Sequence, residues 1–262
     1  MSVASLFMAG VLPGLLTGLT LAALCLYTAH RLGYPKGDVI PLKQAIKICV
    51  EALWGLMTML IILGGILSGV FTANESAAMA VVWAFFVTMV IYRDYAWRDL
   101  PKLMHRTVKT VTIVMILIGF AAAFGYIMTL MQIPMKGTAF FVGFSDNKYV
   151  ILGTINVMLL ILGCLMDMSP LILITAPILL PVVKMLGVDP VHFGMIMMVN
   201  LGTGLITPPV GTVLFVGSAV AKLDMGTISR AMRPFFVALF VVLLMVTYVP
   251  EISLRLPRML GL

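Results

Sequence analysis

The sequence predicts an all-α fold, a polytopic transmembrane helical bundle that holds a re-entrant hairpin and a broken helix. Three observations predict it. Apolar residues make up 62% of the chain, charged residues only 10%, and mean hydropathy is +1.15; several uncharged runs exceed the roughly 18 residues that mark a spanning helix. Within one such run, Gly202, Gly204, Pro208, Pro209 and Gly211 fall where a helix would pass mid-bilayer. Two adjacent prolines break a helical hydrogen-bond ladder, and bare backbone survives in hydrocarbon only where protein, water or an ion covers it. Finally, an acid sits between two apolar arms, in Asp167-Met-Ser-Pro170.

Taken in order, the first span covers residues 6–28, with Pro13-Gly14 near its start and His30-Arg31 after its end. Residues 32–50 carry Lys36, Lys43 and Lys47 in a loop that becomes an amphipathic helix. A second span, 52–71, stops at Thr72-Ala-Asn-Glu75, where Thr72 or Asn74 can cap the returning span 77–92. Residues 93–109 form a basic connector with Tyr95 and Trp97 as interface anchors. Span 110–131 is rich in small residues that permit close helix approach. A less apolar stretch, 132–148, contains Pro134, Gly137, Gly143 and Asp146. The arms 149–166 and 171–184 flank Asp167, with Pro177 and Pro181 interrupting the second. Asp189 as N-cap and Pro190 at the first helical position open the broken helix 191–221. A basic segment precedes the last span, 235–249, and residues 250–262 are a tail.

Charge orients the chain. Most of its seventeen basic residues lie in three connectors: Arg31, Lys36, Lys43 and Lys47; Arg93, Arg98, Lys102, Arg106 and Lys109; Lys222, Arg230 and Arg233. Such clusters mark the cytoplasmic side. Parity between them holds if the two arms around Asp167 enter and leave on one face, which the prolines in the second arm favour. Both termini then lie outside, and an outward start without flanking charge points to a further segment upstream. The net charge of +7 is topology-setting charge in short loops, not a nucleic-acid surface. Cys25, Cys49 and Cys164 are far apart, and His30, His105 and His192 are equally scattered, so neither a disulfide framework nor a metal cluster is expected. No nucleophile–base pair, phosphate-binding glycine loop or metal-binding helix pattern points to an enzyme.

The candidate site residues are Asp167, Ser169, Asn200, Gly202, Thr203, Thr207, Pro208 and Gly211. Asp167 and Ser169 place hard oxygen donors at a turn. The hydroxyls of Thr203 and Thr207, with carbonyls freed by the break, add more, and oxygen ligands of this kind suit sodium. Half-helix N-termini facing the same space favour an anionic substrate. Asp167 has a second reading as the cap of the second arm at a water-exposed turn. Asn200 has one as a hydrogen-bonding link between helices.

These residues carry a resemblance. Phe71-Thr-Ala-Asn-Glu-Ser-Ala-Ala78, Tyr92-Arg-Asp-Tyr-Ala-Trp-Arg-Asp-Leu100, Gly163-Cys-Leu-Met-Asp167, Ala176-Pro-Ile-Leu-Leu-Pro181, Asp189-Pro-Val-His-Phe-Gly194 and Thr207-Pro-Pro-Val-Gly211, in this order and spacing, resemble the large membrane subunit (DctM-type) of tripartite ATP-independent periplasmic transporters, in its C-terminal part. The resemblance implies a sodium-driven importer of organic acids. A periplasmic binding protein captures the acid, and a small four-helix subunit (DctQ-type) supports the large one. No cofactor is implied beyond the coupling sodium ion. The family fold is an inverted-repeat, elevator-like transporter, of which this chain supplies one half. On that pattern residues 1–131 are scaffold-like spans, 132–222 are the transport unit with hairpin 149–184 and broken helix 191–221, and 223–262 are the last span and tail.

Two features depart from the family pattern. Thr72-Ala-Asn-Glu75 stands where Thr-Pro-Thr-Glu is usual, and only one acid-tipped hairpin and one Pro-Pro break are present. Three expectations stand: a separately encoded N-terminal half completes the site; the chain is a non-transporting remnant or interaction subunit; or it is an anion exchanger or ion-coupled carrier of different architecture that works without a binding protein.

Overall fold

The computed structural model describes residues 2–34, 41–133, 135–136, 143, 147–208 and 211–261. Lys36, Pro134, Gly137, Asp146 and Pro209, all singled out above, lie outside the described residues. Among the described residues the fold is wholly helical. Its helices are α1 (Val3–Leu32), α2 (Leu42–Leu67), α3 (Ala73–Phe86), α4 (Leu100–Leu130), α5 (Lys148–Leu165), α6 (Met168–Met185), α7 (Pro190–Leu205), α8 (Thr212–Ala221), α9 (Met225–Ala231), α10 (Arg233–Tyr248) and α11 (Glu251–Met259). Six of these elements are long and apolar enough to cross a membrane, and seven if α9 and α10, bent by 55°, count as one span. The chain is a multi-pass helical membrane protein.

Two compact units divide the chain, residues 33–114 and residues 1–32 with 115–262. In the first, α2 and α3 pair antiparallel. Trp54 and Trp83 stack with centroids 5.9 Å apart, Trp83 Nε1 donates to the Trp54 carbonyl at 3.1 Å, and the Tyr92 hydroxyl donates to the Glu51 carbonyl. Gly65 makes the close crossing possible, since a Cβ there would lie 2.7 Å from Ser76 Oγ. Of the two candidate caps, Thr72 does the work. Its Oγ1 accepts from Glu75 N at 3.4 Å, and Glu75 Oε2 accepts from Thr72 N at 2.8 Å, a reciprocal capping box. Glu75 is thereby committed to starting α3, which ends in one π-helical turn, Val87–Ile91.

In the larger unit α7 is the central helix. One of its faces, with Phe193, Ile196 and Leu201, packs into a core with Ile151, Ile155 and Leu159 of α5 and Leu171, Leu179 and Val182 of α6. Its other face carries Met195 against Ala9 of α1 and Val242 and Val246 of α10. Burying such aliphatic side chains is worth about 1.5–3 kcal/mol each relative to water; against lipid the advantage lies in packing rather than dehydration.

Three elements differ from the sequence reading, the first being α4, which begins at Leu100 within the stretch read as a connector. α6 runs unbroken through Pro177 and Pro181. Each proline's ring fixes a helical φ and forfeits one backbone bond, and the packing of the buried Leu179, Val182 and Val183 beside them offsets that loss. The tail forms α11, with Ser253, Leu254 and Pro257 buried and Glu251, Arg255 and Arg258 exposed, and it packs chiefly on α1. Its moderate hydropathy conceals an amphipathic period that a search for spans passes over.

Candidate functional site

The site is built where α5 ends and α7 stops. α5 and α6 form a helical hairpin whose turn is Met166–Asp167, and α7 and α8 are the two halves of the broken helix. Asp189 caps α7 as expected, accepting from Val191 N at 2.7 Å and His192 N at 3.4 Å, with Pro190 in the first helical turn.

At its other end α7 unwinds. Ile206 N donates to Thr203 O at 3.3 Å and Thr207 N to Gly204 O at 2.9 Å, tight turns that close the helix. Pro208 follows, where no N–H is available to continue it. The chain resumes at Gly211 in a left-handed conformation, φ +51°. Its N–H reaches out of the break and donates to the Cys164 carbonyl at 3.2 Å, tying the unwound stretch to the end of α5. That bond satisfies one carbonyl at the C-terminus of α5.

Glycine at three positions permits this approach. A Cβ on Gly204 would lie 2.8 Å from the carbonyl carbon and 2.9 Å from the Cα of Gly163, so the two backbones touch. At Gly211 a Cβ would lie 3.0 Å from the Thr207 oxygen and 3.2 Å from the Leu205 oxygen. Two carbonyl oxygens of the break therefore converge beside one α-carbon, and neither accepts a hydrogen bond among the described residues. Bare carbonyls at an unwound helix end are what a hard cation binds.

The predicted residues fall into two groups. Thr203, Thr207, Pro208 and Gly211 lie on the break. Thr203 Oγ1 donates to Val199 O at 2.8 Å and Thr207 Oγ1 to Thr203 O at 2.7 Å; each hydroxyl spends its proton and keeps its lone pairs. Gly202, one turn earlier, is exposed, with open space where a Cβ would be. Asp167 and Ser169 are exposed at the hairpin tip. Asp167 occupies the N-cap position of α6 yet makes no capping hydrogen bond, and no ion pair among the described residues engages it, so its carboxylate is unspent.

Asn200 stands apart. It is fully buried, and its Nδ2 donates to both the backbone oxygen and Oδ1 of Asn156, each at 2.9 Å. Asn156 Nδ2 in turn donates to Thr247 Oγ1 at 2.8 Å, and His192 Nε2 lies 3.3 Å from the Thr247 carbonyl. Asn156, Thr247 and His192 were not among the candidates. A polar residue in an otherwise uncharged run was their only signal, and the sequence does not show that the four meet.

A hairpin whose end is docked on a helix break, with unspent oxygens on both pieces, is thus the central arrangement of a multi-pass membrane protein. Residues 1–252 match the family model described as tripartite ATP-independent periplasmic transporter, DctM component. The chain belongs to that family. It is 43% identical to the uncharacterized protein YgiK of Salmonella typhimurium over 98% of this chain and 59% of the relative. It is 42% identical to the C4-dicarboxylate TRAP transporter large permease protein of Pseudomonas aeruginosa, over 100% of this chain and 61% of the relative. With the sialic acid TRAP transporter large permease protein of Vibrio cholerae it shares 35% identity, over 98% and 60% respectively. The chain thus spans about three-fifths of the length of the curated relatives it matches.

Proposed function

We propose that this chain supplies one half of the substrate path of a sodium-driven importer of organic acids in the bacterial inner membrane. The observation that carries the reading is the bond from Gly211 N–H to the Cys164 carbonyl, with the Leu205 and Thr207 oxygens beside it accepting no hydrogen bond among the described residues. It joins hairpin and break into one oxygen-lined structure. In that reading Asp167, Ser169, Thr203 and Thr207 donate oxygens to sodium, and Gly202, Pro208 and Gly211 shape the backbone. Asn200 holds α7 against α5 from behind. The body that carries the site takes in residues 132–222, and α1 as well, because α1 packs directly on α7.

The relatives' names, a C4-dicarboxylate permease and a sialic acid permease, support an acid as cargo. The tripartite family description supports a small membrane subunit and a periplasmic binding protein as partners. The part of the relatives outside the match would complete the site, from the same polypeptide or a separate one. The test is uptake of a labelled organic acid in cells that co-express this chain, those partners and that remaining part. Sodium-dependent uptake that falls at least tenfold in Asp167→Asn and Thr207→Ala, with normal membrane insertion, supports the site; unchanged uptake and sodium dependence in both variants reject it. Uptake that persists without the binding protein would point instead to a stand-alone carrier.

A further inference from the structure

A second polar cavity lies at the other end of the hairpin, about 22 Å along α5 from Gly163. Its volume is about 200 Å³, and it is enclosed by the start of α5, the α6–α7 turn with the first turn of α7, and the junction of α10 with α11. Its charged groups are engaged to different degrees. The Asp189 carboxylate accepts from the N–H groups of Val191 and His192. Arg258 is held by Glu251 at 2.7 Å. Lys148 has no acid partner among the described residues, and its ammonium lies 5.1 Å from the centroid of the Tyr149 ring.

The cavity wall also holds one orphaned acceptor. His192 is 2% exposed. Its Nε2 lies 3.3 Å from the Thr247 carbonyl, which can only accept, so the ring proton is on Nε2. Nδ1 is then a lone pair, and it is buried without a hydrogen-bond partner. An unpaired acceptor in such a place is destabilising, and a donor reaching it from the cavity would relieve that. Leu152, Pro250 and Leu254 supply apolar wall between these groups.

We propose that this cavity binds a small 2-hydroxycarboxylate. The carboxylate faces Lys148, the cation of the lining that has no salt bridge among the described residues, and the hydroxyl donates to His192 Nδ1. One free ammonium suits one carboxylate, and one orphaned acceptor suits one donor. The loop-charge pattern puts this end of the hairpin on the face opposite the basic connectors, the side from which cargo arrives. Through Thr247 and Asn156 the same histidine is joined to Asn200, one turn before Gly204. The inference does not require the hairpin-tip site to bind sodium.

The test is calorimetric titration of the full chain, in nanodiscs of zwitterionic phosphatidylcholine, with lactate and with propanoate, which differ by the hydroxyl alone. Lactate is expected to bind about fivefold more tightly than propanoate, the effect of one hydrogen bond. Lys148→Gln weakens both acids about tenfold, as loss of a charged partner does, and His192→Phe abolishes the preference for lactate. Should His192→Phe fail to fold, Lys148→Gln, at an exposed position, still decides the matter. Asp167→Asn leaves lactate binding unchanged, which separates this cavity from the hairpin tip. Absence of saturable lactate binding, equal affinity for the two acids, indifference to Lys148→Gln, or loss of binding in Asp167→Asn would each overturn the proposal.

Discussion

Gly163 and Gly204 meet backbone against backbone, with the position of a Gly204 Cβ only 2.8 Å from the Gly163 carbonyl carbon. The contact sets how closely the end of α5 can approach the helix break. A methyl on Gly204 has no flexible neighbour to displace, so the helices themselves must part. Gly204→Ala is expected to destabilise the protein by about 1–3 kcal/mol, the range for overpacking a tight interior. In Gly163→Ala the added methyl meets Gly204 Cα and Leu201 Cδ2 at 3.4 Å, ordinary contact distance, and the loss should be smaller. Thermal unfolding of the two purified variants checks the order.

Gly211 is constrained twice, by φ +51° and by the carbonyl oxygens of Leu205 and Thr207 beside its α-carbon. Gly211→Ala adds left-handed strain of about 1–2 kcal/mol and pushes those oxygens apart. The thermal midpoint should fall, and the amide of residue 211 should lose hydrogen-exchange protection as its bond to the Cys164 carbonyl opens. Retained protection would mean that the break tolerates a side chain.

The polar thread through α5, α7 and α10 predicts non-additivity. Asn156→Leu takes the side-chain acceptor from the Asn200 amide and leaves it the backbone oxygen of residue 156 alone, as Asn200→Leu strands the Asn156 Oδ1, and each should cost about 1–3 kcal/mol. The pair Asn156→Leu/Asn200→Leu removes both partners together, so its cost should fall well below the sum of the singles. A double-mutant cycle on reversible unfolding in detergent measures the difference.

How much of this was legible in the sequence depended on the scale of the signal. Spans and the break were readable because hydropathy and proline act locally: α1 and the start and stop of α7 fall close to where composition places them, whereas α4 begins at Leu100, inside the stretch read as a connector, because its basic first turns are helical without being apolar. The cap at Asp189 was readable for the same reason. Two local rules misled. Proline weakens a helix without ending it when the walls hold, as α6 shows, and α11 is amphipathic rather than apolar. What stayed hidden was pairing across the fold. Asn156 lies 44 positions from Asn200 and 91 from Thr247, and no periodicity relates them. Glycine was equally mute: Gly202 and Gly204 look alike in sequence, yet one faces open space and the other touches a backbone.

The start of α3 offers a test of local energetics. Thr72 and Glu75 each satisfy the other's backbone N–H, so Thr72→Ala removes one acceptor and leaves Glu75 reaching for an N–H alone. A lost N-cap of this type costs about 1 kcal/mol. The effect should be confined to α3, read as faster hydrogen exchange at residues 73–76 with exchange in α7 unchanged.

Sodium binding at the hairpin tip can be tested apart from transport. An ion that binds the folded state alone stabilises it by an amount that grows with the logarithm of its concentration. The Asp167 carboxylate is uncapped and unpaired among the described residues, so its charge is available to a cation. Replacing potassium by sodium at constant ionic strength should therefore raise the thermal midpoint of the wild-type chain. Asp167→Asn keeps the side-chain shape and an oxygen but removes the charge, so the sodium-specific rise should shrink or vanish. Screening of surface charge responds equally to both ions, and a rise of the same size with potassium would identify it as the cause. Should the chain need the remaining part of its relatives to close the ion's coordination shell, the rise appears only when that part is co-purified, and Asp167→Asn abolishes it there.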